Sequence, residues 1–294
     1  MYINTDLCVG GPIFGSSASP TVGHKVVEAL QTVPYYDETY SNYYDFWKAH
    51  KESEAPEIYL PDAGSDHASF IFYAGVPVID TYFDPDSKKY PSLSNIGYPT
   101  YHTAFETFKL VDEIIDPNYD IMATASMINL YLVRDFADSL LLDLKITGYN
   151  KVLEDFKNDD ILLSLKDKGI DPKYTDFMSK TIEDYKDSTL KWSERFNNSL
   201  SEIQSNPLLI KAINDQMMNL DKYFLLKDGI PGRSIYSHAI ISPSNFNAYG
   251  SGYFPGKKLY KSHPLLKKCR ISEQKGKTLL DRWPFFHVNF RACW

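Results

Sequence analysis

Met1-Tyr2-Ile3-Asn4-Thr5-Asp6 is the stretch on which the reading of the fold turns. An apolar run gives way to polar residues, so a short buried strand over Met1 to Asn4 is expected to end beside the Asp6 carboxylate. Open α/β sheets place their ligands just outside the carboxyl ends of strands. Asp6 is therefore a candidate metal ligand. His102, in Gly97-Tyr98-Pro99-Thr100-Tyr101-His102-Thr103, is a second, because oxygen and nitrogen donors together suit a borderline ion such as zinc. Each has a plainer reading as well: aspartates cap turns, and histidines satisfy hydrogen bonds in cores. The same applies to His67, next to Asp66.

Working outward, the pattern up to about residue 120 is α/β. Val22 to Val33 carries Val26, Val27, Ala29, Leu30 and Val33 at helical spacing, and Ala74 to Phe83 reads as a second strand. A short helix from Asp66 to Tyr73 follows Gly64-Ser65, with Ser65 or Asp66 as its cap, and a helix over Thr103 to Ile115 is expected behind His102. From residue 118 onward the periods lengthen. Ile121 to Leu142, Tyr174 to Ile203 and Pro207 to Leu226 repeat apolar residues at three- and four-residue steps, as in a helical bundle. Asp171-Pro172, Asn206-Pro207 and Gly229-Ile230-Pro231-Gly232 mark breaks. The expected fold class is α/β followed by α: a mixed sheet with helices over residues 1–120, a helical bundle over 121–256, and a divergent tail over 257–294.

Composition sets limits on function. A chain of 294 residues, 43% of them hydrophobic, can bury a substantial core in about two domains. Residues 257–294 hold ten Lys or Arg against Glu273 and Asp281, a local balance of +8, so residues 1–256 carry −15 of the total −7. The acidic body offers no basic stripe for nucleic acid. No apolar run reaches the length of a membrane span, and the first residues lack a signal-peptide pattern. Cys8, Cys269 and Cys293 show no CxxC pairing, which leaves the redox compartment open.

Several ordered motifs carry a resemblance to a known family. Gly97 through Phe108, then Leu110-Val111-Asp112 and Asp116-Pro117, resembles the signature late in the peptidase domain of glutamate carboxypeptidase II and its relatives. Tyr2 to Asp6 and Gly64-Ser65-Asp66 match upstream in order and approximate spacing. Asn206-Pro207, Asn214-Asp215-Gln216-Met217 and Arg233 to Gly256 resemble the transferrin-receptor-like dimerisation domain that follows it. The resemblance implies a zinc exopeptidase that removes C-terminal residues from peptides and pairs as a homodimer through its helical domain. Asp6 would be a terminal ligand of one zinc and His102 of the other. Tyr101 would donate to the oxyanion of the tetrahedral intermediate, Gly64 would lie against the substrate, and Tyr249 would bind its free carboxylate. Intact family members are typically membrane-anchored, with the peptidase outside the cytosol.

The departures are equally specific. In the family a histidine ligand, the bridging aspartate and a glutamate pair precede the strand that ends at Asp6. The sequence as it stands does not hold them, so this chain alone is expected to bind zinc poorly and to lack peptidase activity, like a truncated member of the family. The alternative expectation is a non-catalytic receptor-like or dimerisation module. Ala248 stands where glutamate carboxypeptidase II has a lysine, and Asp80 and Tyr82 where it has two arginines. An aspartate repels a carboxylate that an arginine would clamp, so acidic dipeptides fit poorly and a neutral or hydrophobic peptide fits better.

Overall fold

The computed structural model describes residues 1–53, 56–94, 97–158, 171–230, 232–245 and 247–253. The basic tail, Phe254-Pro255-Gly256, Cys269 and Cys293 lie outside them. The chain divides into two compact units, residues 1–68 with 77–139, and residues 69–76 with 140–294.

The first unit is built on a three-stranded mixed sheet. Strand β1 (Tyr2–Asn4) runs parallel to β3 (Val78–Asp84), with Asn4 opposite Asp80, and β2 (Ile13–Ala18) runs antiparallel to β3 on its other side. Gly15 is required in β2: a Cβ there would lie 2.2 Å from the Tyr82 ring that crosses it. Helix α1 (Gly23–Thr32) buries Val26, Ala29 and Leu30, as their spacing predicted. Helix α2 (Tyr43–Lys51) starts at an Asn42 side chain that accepts from the Asp45 amide, and its Tyr43 joins Phe14 and Phe83 in an edge-to-face aromatic core. Helix α3 (His67–Phe72) follows. After a one-turn helix α4 (Phe108–Leu110), α5 (Asp120–Asp138) packs on α1, β1 and β3 through Ile121, Ala125, Ile128 and Leu132. Because α5 lies on the sheet, the first unit runs past residue 120 to Ser139.

Three expectations are corrected here. Strand β1 buries only Asn4, because β3 is its one partner among the described residues. Strand β3 starts at Val78 rather than Ala74, since Gly75 is left-handed (φ +61°) and Pro77 has no amide to donate. The helix behind His102 begins at Phe108, not Thr103. Thr103 accepts the Phe105 amide in a local turn, Thr107 accepts the Leu110 amide as a cap, and the run continues as a π-helical turn over Val111–Ile115.

The second unit is mainly helical. Helix α6 (Gly148–Asn158) packs on α7 (Pro172–Asn198), and Leu153, Phe156, Ile182, Tyr185 and Trp192 are all buried. Two hydrogen bonds fix this region: Thr189 Oγ1 to Asn150 Oδ1 at 3.0 Å, and the Tyr185 hydroxyl to the Ile146 carbonyl at 3.1 Å. Helices α8 (Leu200–Ser205), α9 (Pro207–Met218) and α10 (Leu220–Tyr223) follow, then an antiparallel pair of β4 (Ile241–Pro243) and β5 (Ser251–Tyr253). The expected single helix from Pro207 to Leu226 is thus broken at Asn219, whose amide bonds in a tight turn to the Gln216 and Met217 carbonyls.

Candidate functional site

The carboxyl end of β1 gathers a polar cluster. Asn4, held in register opposite Asp80, donates from one side-chain amide to Asp80 Oδ1 at 2.8 Å and to Ser65 Oγ at 2.9 Å. That second bond draws the Asp62–Ser65 turn to the end of β1, close to Asp6 in sequence. Within the turn the Gly64 amide donates to Asp62 Oδ1 at 2.9 Å, so this N–H is already engaged. Next to it, Thr5 Oγ1 lies 3.0 Å from Thr81 Oγ1 and accepts from Asn129 Nδ2 at 2.9 Å, which ties α5 to the same strand ends.

His67 closes the cluster from α3 and is wholly buried. Its Nε2 is 3.1 Å from the Asp62 carbonyl oxygen, and a carbonyl can only accept, so Nε2 carries a proton. Nδ1 lies 3.8 Å from Asp80 Oδ2 and has no hydrogen-bond partner. Burial pushes the Asp80 carboxyl above its ordinary pKa; the Asp62 and Asp6 carboxylates push the same way, against the Asn4 hydrogen bond and His67. The site is negative at its base.

The expected site residues distribute as follows. Asp6 is exposed just past β1, and the Asn4–Ser65 bond brings the Gly64 turn to that strand end. His102 is exposed in a left-handed conformation (φ +59°); its ring stacks on Tyr101 at 3.7 Å, and its amide donates to Glu106 Oε2 at 3.0 Å. Among the described residues, neither Asp6 nor His102 belongs to a group of three His, Cys, Asp or Glu donors close enough to share an ion. Asp6 and His102 therefore do not by themselves make up a zinc centre among the described residues. Tyr249 belongs to the second unit and is 56% exposed. Its loop is folded by the Ser244 amide on the Gly250 carbonyl at 2.6 Å and held by Arg233, which donates to the Pro243 carbonyl at 2.8 Å and to Asn245 Oδ1 at 2.5 Å.

Sequence reasoning passed over Asn4 and Asp62 and left His67 as an ordinary core histidine. The signal for Asn4 was an amide side chain at the strand's last position. His67 and Asp62 become informative only through their placement against Asp80.

Comparison with known proteins fits this arrangement. Residues 174–258 match the transferrin receptor-like dimerisation domain. The chain is 29% identical over 260 residues to a probable glutamate carboxypeptidase of Arabidopsis thaliana, covering 87% of this chain and 34% of that protein. It is also 29% identical over 268 residues to the aminopeptidase NAALADL1 of Rattus norvegicus, again over 87% of this chain and 34% of that protein. With a glutamate carboxypeptidase 2 homolog of Caenorhabditis elegans it shares 26% over 278 residues, 87% of this chain and 35% of that protein. The chain is similar to glutamate carboxypeptidase II-like proteins over most of its length and carries a transferrin receptor-like dimerisation domain. It spans about a third of the length of the curated relatives it matches. No helix among the described residues is long and apolar enough to cross a membrane.

Proposed function

We propose that this chain supplies one wall of a co-catalytic di-zinc exopeptidase site, with Asp6 and His102 as ligands of separate zinc ions and Gly64, Tyr101 and Tyr249 as substrate contacts. One observation carries the reading: the Asn4 to Ser65 hydrogen bond, which brings the Gly64 turn to the strand end that leads into Asp6. Further donors are needed to complete each ion site, so the chain alone is inactive. The helical unit joins two copies into a homodimer. The peptidase names of the relatives support the class, but they divide between carboxypeptidase and aminopeptidase. They do not say which end of a peptide is read.

The test is a chimaera in which residues 1–256 replace their counterpart in the Caenorhabditis elegans relative. Zinc-dependent peptide hydrolysis is expected, and its loss in Asp6→Ala and in His102→Ala. A folded, zinc-loaded chimaera without activity would overturn the reading in favour of a receptor-like dimerisation module. Zinc-dependent cleavage by the purified 294-residue chain would overturn its inactivity.

A further inference from the structure

We propose that the polar cluster of Asp80, Asp62 and His67 at the carboxyl end of β1 is a subsite for a primary ammonium group of a peptide. The inference rests on the peptidase reading and refines its substrate class.

The two atoms that face each other in the cluster leave a bond unmade. Asp80 Oδ1 is taken by Asn4, while Oδ2 points at His67 Nδ1 across 3.8 Å. With Nε2 committed to the Asp62 carbonyl, Nδ1 has no partner although the ring is wholly buried. A buried polar atom without a partner is costly and calls for a missing group. At 3.8 Å the pair is too wide for a hydrogen bond between them, yet a single nitrogen donor can sit about 2.9 Å from both. An ammonium brings three donors to such a point.

Charge selects the same ligand. The Asp62 and Asp80 carboxylates approach opposite nitrogens of the buried His67 ring, at 3.7 and 3.8 Å, so two carboxylates oppose each other across it. An entering cation relieves that repulsion, whereas a free carboxylate meets like charges. The carboxylates remain reachable: the Asp62 and Asp80 side chains are 27% and 13% exposed. Asp62, His67 and Asp80 do not bring three donor atoms within reach of one ion, which argues against a metal in this cluster.

The test uses the full chain and does not depend on turnover. Leucyl-leucine amide, acetyl-leucyl-leucine and acetyl-lysine amide are titrated separately and binding is followed by amide NMR shifts. Leucyl-leucine amide is expected to bind at least tenfold more tightly than acetyl-leucyl-leucine, with shifts at Asn4, Ser65 and Asp80. Asp80→Asn should weaken it at least tenfold while circular dichroism stays unchanged. If that variant does not fold, Asp62→Asn, at a more exposed position, should weaken binding in the same direction. Equal binding of acetyl-lysine amide assigns the site to a lysine side chain, and much weaker binding assigns it to a free amino terminus; both uphold the primary ammonium. Acetyl-leucyl-leucine binding as tightly as the amide overturns the ammonium and leaves the peptide site standing. No binding of any ligand also overturns the ammonium subsite, and the peptidase reading is then decided separately by the chimaera.

Discussion

At the scale of single residues, the second unit holds a buried polar chain that balances on one hydroxyl. His238 Nδ1 accepts the Ile240 and Ile241 amides at 3.3 and 3.2 Å, which places the ring proton on Nε2, 3.2 Å from the Tyr149 oxygen. Tyr149 in turn donates to Asp221 Oδ1, and Asp221 Oδ2 has no partner. Burial, then the Asp221 charge, pushes the Tyr149 phenol well above its ordinary pKa, so it stays a donor. Tyr149→Phe leaves a buried carboxylate without that donor and should cost about 1–3 kcal/mol in urea unfolding. A loss below about 0.5 kcal/mol would show that the hydroxyl is not needed there. Asp84 offers a pH test. Burial raises its carboxyl, with Lys51 acting in opposition, so the folded state holds its proton more tightly than the unfolded chain. Stability then falls as pH rises from the ordinary aspartate value through the raised one. Asp84→Asn should be more stable than wild type at neutral pH, and the gap should close as the medium is acidified. A gap independent of pH would exclude the linkage. The Tyr149 contacts were not legible in the sequence, because Asp221 and His238 lie 72 and 89 positions away, just as Asn4 acquires meaning only from the distant Ser65 and Asp80.

At the scale of elements, what local chemistry dictates was readable and what packing dictates was not. Asp171-Pro172 and Asn206-Pro207 each place a capping side chain before a proline at the first helical position. Both mark breaks as expected, and in the structure each side chain also caps the helix that follows, Asp171 on the Lys173 amide at 3.0 Å and Asn206 on the Leu208 amide at 3.0 Å. Asn206→Ala should cost about 1 kcal/mol, seen as a lowered unfolding midpoint, whereas Asn206→Ser should retain most of the stability. Helix α6 went unread although Tyr149, Leu153 and Phe156 sit at helical spacing, because its polar content hides a single buried stripe. Leu153 is fully buried, and Leu153→Ala should cost about 2–5 kcal/mol by equilibrium unfolding. Strand β2 was missed for the opposite reason. Ile13-Phe14-Gly15-Ser16-Ser17-Ala18 has weak strand propensity, and its pairing is secured by the Tyr82 ring over Gly15 and the Ser16 hydroxyl on the Asp80 carbonyl at 2.7 Å.

At the scale of the whole molecule, the charge split and the apolar surface point to association. A body of −15 beside a tail of +8 makes head-to-tail contact between copies sensitive to salt, whereas contact through apolar helix faces is not. In the helical unit Leu208 is 78% exposed, Ile235 69% and Phe177 42%. Leu208 sits in the first turn of α9, within the stretch that matches the dimerisation domain. A single exposed leucine is ordinary, but covering it in an interface is worth about 1.5–3 kcal/mol, roughly one to two powers of ten in affinity. An aspartate in its place also strands a charge in that contact. Sedimentation of the full chain should therefore show a dimer whose dissociation constant changes little between low and high salt. Leu208→Asp should weaken it at least tenfold without lowering the unfolding midpoint. Dimerisation that vanishes in salt yet is untouched by Leu208→Asp would place the contact on the charged surfaces and take α9 out of the interface.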